Sequence, residues 1–251
     1  MMRVQRGANP EQESNRRALS DLKSVAWAEP LLKEIDRRGG LAAPRSFFFE
    51  LRYASEIHSA GFTATYEFKT GVANSSVDFC IHSTPEWLVE LFSPWPHASN
   101  DEESQMRKLA GTLSDKVWSS SGIPSKFPAP SSRVHMVLLD ARNYLYGMGD
   151  FRDWRQIVYG PAGVRKEDDW AVHYLNDEPI RGPFDPVSPI PSAQTFRERV
   201  HFVGFMNERT YTPQEMRTSK AAYYLANPFL FSDQDAMAAA FKSYALKPSP
   251  G

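Results

Sequence analysis

Apolar positions along the 251-residue chain switch between helical and strand periodicity, and the switches predict the elements. In residues 1–43, Leu19, Leu22, Val25, Ala26 and Leu32 recur at helical spacing within a polar stretch. One or two short helices should end at Gly39-Gly40, forming a helical N-terminal appendage. From Pro44 a helix is predicted to run to Gly61; at about 100° per residue, Phe47, Leu51, Ala54, Ile57 and His58 share a face. Glu50 falls on the edge of that face, and Glu56 lies opposite, in solvent. Three strand-like runs follow: Thr63–Lys69, Val77–His82 and Trp87–Phe92. In the second, Val77, Phe79 and Ile81 alternate with Asp78, Cys80 and His82. The third, WLVELF, is apolar on both faces apart from Glu90, which predicts a central strand covered on both sides.

Beyond Pro94 and Pro96, Asp101–Trp118 reads as a helix with Met106, Leu109, Ala110, Leu113 and Val117 as its core stripe. Gln105, Thr112 and Lys116 line one flank of that stripe, and Lys108 points away. Arg133–Asp140 is a further strand, and Asp150–Tyr159 a helix closed by Gly160. The proline-rich stretch from Pro161 to Pro191 reads as surface connection. Val200–Met206 is a strand. Thr212-Pro213-Gln214-Glu215 has the form of a capping box, predicting a helix to about Ala226, and Ser232 opens a last helix. The expected organisation is a 1–43 appendage, a 44–160 core, and a 161–251 addition of strand and helices packing on that core. The fold class is α/β with a mixed central sheet.

Composition narrows the function without naming it. With 29 basic and 30 acidic side chains, 41% hydrophobic residues and 24% charged, the chain has an ordinary globular balance. A net charge of −1 argues against nucleic-acid binding by bulk electrostatics and leaves room for a locally basic groove. One cysteine, Cys80, excludes an intramolecular disulfide framework and a multi-cysteine zinc site, and fits a reducing cytoplasm. No run approaches the roughly 18 apolar residues of a membrane helix, and MMRVQRGANPEQES has no apolar core for a secretory signal. A cytoplasmic protein without a membrane partner is expected, its oligomeric state open. No Walker loop, dinucleotide fingerprint, HExxH or Gly-x-Ser-x-Gly occurs.

The carboxylates carry the chemistry. Glu50 and Glu90 stand where burial is expected, and a buried charge needs a partner or a metal. A three-residue loop, Ser83-Thr84-Pro85, pairs His82 with Glu86 and sets Asp78 directly opposite Glu90; a four-residue loop would put them on opposite faces. FELRYASEIHSAG, VDF and WLVELF, in that order, resemble the PD-(D/E)xK, restriction-endonuclease-like nuclease superfamily across residues 44–142. The resemblance implies an αβββαβ core and a hydrolase that cuts DNA or RNA with Mg2+ or Mn2+. It makes Asp78 and Glu90 the metal carboxylates and Glu50 an auxiliary ligand. The family's lysine, two residues after the glutamate, is replaced here by Phe92. Lys116 is the geometric candidate to supply it, with Lys69 as another and Gln105 as a polar contact.

Other readings stand beside these. Asp78 could accept local backbone hydrogen bonds at a strand end. Glu90 could form a buried ion pair, and Glu50 could reach solvent. His58 and His135 read as packed residues, Cys80 as a small buried hydrophobe and Asp140 as a turn residue, while His82 could approach Asp78. The alternative function is a catalytically inactive nuclease-fold module for nucleic-acid or protein binding. An unrelated structural protein would follow if Asp78 and Glu90 lay on opposite faces.

Overall fold

In the computed structural model, the described residues are 10–94, 101–118, 125–140, 151–164, 172–206, 222–244 and 246. They form a mixed α/β fold. Helices α1 (Pro10–Leu22), α2 (Glu29–Arg37) and α3 (Arg45–Ser59) precede a meander of β1 (Ala64–Lys69), β2 (Ser76–Ile81) and β3 (Trp87–Phe92). Then come α4 (Glu102–Asp115), β4 (Val134–Asp140), α5 (Phe151–Tyr159), and a short hairpin of β5 (Tyr174–Leu175) and β6 (Glu178–Pro179). The chain closes with α6 (Ala193–Arg199), β7 (Phe202–Met206), β8 (Ala222–Ala226) and α7 (Gln234–Lys242). Six strands make one mixed sheet in the order β1-β2-β3-β4-β7-β8. The β1-β2-β3 and β7-β8 pairings are antiparallel, whereas β3-β4 and β4-β7 are parallel. Among the described residues no helix is long and apolar enough to cross a membrane.

Strand pleating divides the core in two. Trp87, Val89 and Leu91 of β3 join Val134, Met136 and Leu138 of β4 on one face, packed with α1, α2, α3 and Tyr244. Leu88 and Phe92, with Val137 and Leu139, face the layer of α4, α5 and α6. All six residues of β3 are buried, as its two-sided apolar pattern predicts. Two parallel connections require crossovers, and α4 supplies one while α5 and α6 lie in the other.

Several expectations need correction. Residues 10–43 are part of the core: Ala18, Leu22, Ala28, Leu31 and Ile35 are buried in the first cluster. Because α1 covers its outer side, α3 is buried well beyond one stripe, with Arg52 and Ser55 enclosed and Glu56 half-buried. His58, expected to pack, is exposed near the end of that helix. Ala222–Ala226, assigned to a helix by the Thr212 capping box, is a strand paired with β7, since an apolar AYYLA segment satisfies its backbone on the sheet. The rest of that expected helix lies outside the described residues. The Pro161–Pro191 connection is not purely superficial, since Ile180, Phe184 and Asp185 are buried.

The strict alternation expected for β2 also breaks. Phe79 and Ile81 lie in the first core but Val77 lies in the second. Opposite them on β1, Tyr66 and Phe68 divide in the same way, with Glu67 between them at φ +48°. That left-handed residue rotates the ribbon, so the side chains on either side of it face different layers.

A buried histidine pair ties β4 to β7. His135 Nδ1 meets the Arg199 carbonyl at 2.7 Å, and the His135 backbone N–H donates to His201 Nδ1 at 3.1 Å. Burial pushes His135 down to about 3 and His201 to about 4, from the usual 6.5. The neutral rings are the native form, so the stability they support is complete above about pH 6.5 and is lost as pH falls toward those values. Unfolding at pH 5 should gain about 2 kcal/mol per histidine from proton uptake. His201→Asn, which keeps an acceptor at the Nδ1 position without titrating, should flatten the fall in melting temperature between pH 6.5 and 5.

Candidate functional site

The β2–β3 register settles the first question of geometry. Phe79 pairs with Val89, Cys80 with Leu88 and Ile81 with Trp87. One step further, the same register puts Asp78 across from Glu90, the arrangement that a three-residue loop predicts. The backbone ladder opens there: the Leu91 N–H donates to Asp78 Oδ2 at 2.6 Å, so a side chain takes the place of a strand carbonyl. Asp78 therefore does accept a backbone hydrogen bond, though from the neighbouring strand and not from its own local turn.

Glu90 comes from the centre of β3 and is 4% exposed. Its Oε1 accepts from Lys126 Nζ at 2.5 Å, so Glu90 does form a buried ion pair. Lys126 sits in a segment fixed on both sides. Its N–H donates to the Val117 carbonyl at 2.7 Å, and its neighbour Phe127 is buried against the His135 ring. Glu50 arrives from α3 on the other side of the sheet, and Tyr66 of β1 donates to its Oε2 at 2.7 Å.

The electrostatics bind these three carboxylates into one unit. Burial pushes Glu50 up to about 7; the Tyr66 hydrogen bond opposes the rise and the charge of Glu90 adds to it. Asp78 is raised by burial and then by repulsion from Glu90 and Glu50, against the Leu91 amide and Lys126. Glu90 is raised by burial and pulled back by Lys126 and, more weakly, Lys116. Among the described residues, each carboxylate thus has one oxygen held by a donor and its second oxygen available to a cation. The donor set is hard oxygen, the chemistry of Mg2+ or Mn2+. The three do not close tightly, however: their ligand atoms are not all within 4.8 Å of one another.

Other sequence candidates divide. Lys116 follows α4, and its Nζ stands 4.6 Å from the centre of the Phe92 ring, close enough to act on Glu90 without bonding it. Phe92 is thus a platform for the lysine that caps the end of α4. Lys69 is exposed at the end of β1, and no bond joins it to these carboxylates among the described residues. Gln105 is buried on α4. His82 is directed away from Asp78, to Glu86 at 3.0 Å and Thr65 at 2.9 Å. Asp140, expected as a turn residue, meets Arg52 at 3.5 Å, and both are almost fully buried. Sequence reading missed Lys126, Tyr66 and Arg52. Tyr66 could have been found from the alternation in TATYEFK, whereas Lys126 lies in SGIPSKFPAP, which has no periodicity to mark it.

Neither protein-family models, nor curated proteins, nor solved structures yield a match to this chain.

Two outcomes test this electrostatic unit. Lys126→Met leaves a buried carboxylate without its cation and should cost about 3 kcal/mol in denaturant unfolding. Lys126→Met combined with Glu90→Leu should recover most of that loss. Because the folded protein holds Glu50 above its ordinary value, the stability that this group supports is complete below about pH 4.5 and is lost as pH rises through about 7. A divalent cation offsets that repulsion, so Mg2+ should raise the melting temperature more at pH 8 than at pH 5.5. Glu50→Gln should remove most of the difference.

Proposed function

We propose that the protein is a divalent-metal-dependent phosphodiesterase acting on DNA or RNA, with Glu50, Asp78 and Glu90 holding Mg2+ or Mn2+. The observation that carries this reading is the Asp78–Glu90 juxtaposition across the β2–β3 ladder, with a lysine ammonium 2.5 Å from Glu90. The element order α3-β1-β2-β3-α4-β4, with β4 parallel to β3, follows the αβββαβ pattern of the restriction-endonuclease-like core and supports the same reading.

When bound, the metal would polarise a phosphate oxygen and make a bound water more acidic. The protein's own groups do the rest. Asp78 is locked by the Leu91 amide and Glu90 by Lys126, so both carboxylates are oriented before a ligand arrives. Lys126 supplies the positive charge that the superfamily draws from the position held here by Phe92, and can stabilise charge developing on the phosphate. Lys116, seated over Phe92, adds a second cation on the same side. Glu50, oriented by the Tyr66 hydroxyl, adds a third carboxylate toward the cation.

A binding module on the same scaffold is the second reading, favoured because the ligand atoms of the three carboxylates do not all lie within 4.8 Å of one another. A cleavage assay on supercoiled plasmid, single-stranded DNA and RNA, with Mg2+ and with Mn2+, separates the two. The nuclease reading expects metal-dependent cleavage reduced at least about 100-fold in Asp78→Asn, Glu90→Gln and Lys126→Met. Lys116→Met should cost about tenfold. Binding of the same substrates without cleavage, insensitive to Asp78→Asn, would support the module.

A further inference from the structure

The geometry points to a second metal site, for Zn2+, at the far end of the β2–β3 hairpin, built from Cys80, His82 and Glu86. It lies about 13 Å along β3 from Glu90, at four residues of roughly 3.3 Å each. It shares no ligand with the carboxylate unit.

His82 directly follows β2, two residues beyond Cys80, and Glu86 directly precedes β3; one step past the Ile81–Trp87 pair, the two side chains meet across the hairpin. The Sγ, ring-nitrogen and carboxylate-oxygen atoms all lie within 4.8 Å of one another. A tetrahedral zinc with ligands at about 2.0–2.3 Å needs donors roughly 3.3–3.8 Å apart, so small side-chain rotations close the set. His82 Nδ1 and Glu86 Oε1 are already 3.0 Å apart.

The surrounding contacts are those a metal site requires. His82 uses its other nitrogen, Nε2, on Thr65 Oγ1 at 2.9 Å, which leaves Nδ1 for a metal. Arg133 donates to Glu86 Oε2 at 2.8 Å, not to the Oε1 that faces His82. Both ligands are therefore oriented through the atom that would not bind. The backbone is fixed as well: His82 N–H donates to the Thr63 carbonyl at 2.9 Å, and the Glu86 carbonyl accepts from Val134 N–H at 3.0 Å. A thiol, an imidazole and one carboxylate select zinc over magnesium. Cys80 is fully buried while His82 and Glu86 are about one-third exposed, so a fourth position opens to water. The ion clips β2 to the start of β3, and its binding releases the Cys80 thiol proton to solvent.

The test titrates the full-length chain with Co2+ and then displaces it with Zn2+. One equivalent of Co2+ should give thiolate-to-metal charge-transfer absorption that Zn2+ removes. The band should vanish in Cys80→Ser and in His82→Gln, a partly exposed position where folding is little affected. It should persist in Glu90→Gln, which separates this site from the carboxylate unit. Thr65→Val, which removes only the orienting hydroxyl, should weaken zinc binding by about tenfold. No absorption at stoichiometric Co2+, a band that survives Cys80→Ser, or equal zinc-dependent rises in melting temperature for wild type and His82→Gln would each overturn the proposal.

Discussion

A carboxylate in the middle of a strand covered on both faces has little water to turn to, and Glu90 is in that position. Its burial must be answered by a cation brought from elsewhere in the chain. Lys126 is that cation, and the demand fixes more than one side chain. The segment that carries Lys126 is tied back to the end of α4 through Val117 and Trp118, and it places Phe127 against His135 in the next strand. The end of α4, the segment before β4 and the centre of the sheet are thereby set against one another.

The same constraint appears once more on the opposite face. Asp140, at the end of β4, is as deeply enclosed as Glu90, and Arg52 answers it from α3. Arg52 also donates to Asn15 of α1 at 2.8 Å, so the outermost helix is held through the charge that its neighbour carries inward. Two buried acids on adjacent parallel strands are thus neutralised from opposite sides of the sheet, one by a lysine in the segment before β4 and one by an arginine of α3. Tertiary structure here is organised as much by the need to pair charge as by apolar burial, which is non-directional and would tolerate small slips.

What the sequence disclosed follows from the range of each signal. The strands Trp87–Phe92 and Val134–Asp140 and the core stripe of α4 were legible because periodicity is local. The Asp78–Glu90 register was legible because a three-residue loop fixes which residues of the two strands stand opposite each other. Lys126 was not legible, because it reaches Glu90 from 36 residues away through an aperiodic segment. The face switch at Asp78 was hidden for a different reason: it depends on Glu67 adopting a positive φ, which glutamate seldom does. Ala222–Ala226 misled because a capping box is a statement about local hydrogen bonds, and an open sheet edge beside β7 offers the backbone a competing set.

The layer over the first core face is assembled from segments far apart in the chain. Trp87 stacks on Phe202 and packs its ring against Tyr244, and its indole N–H donates to Ser243, 156 residues later. Tyr53 of α3 meets the same Tyr244, hydroxyl to hydroxyl, at 2.9 Å. A chain emerging from the ribosome can form its β1-β2-β3 meander and lay α4 on one side while the other side still lacks its final pieces. That side closes only once Phe202, Ser243 and Tyr244 have followed, so the surface around the Trp87 indole stays exposed to aggregation while a further 156 residues are made.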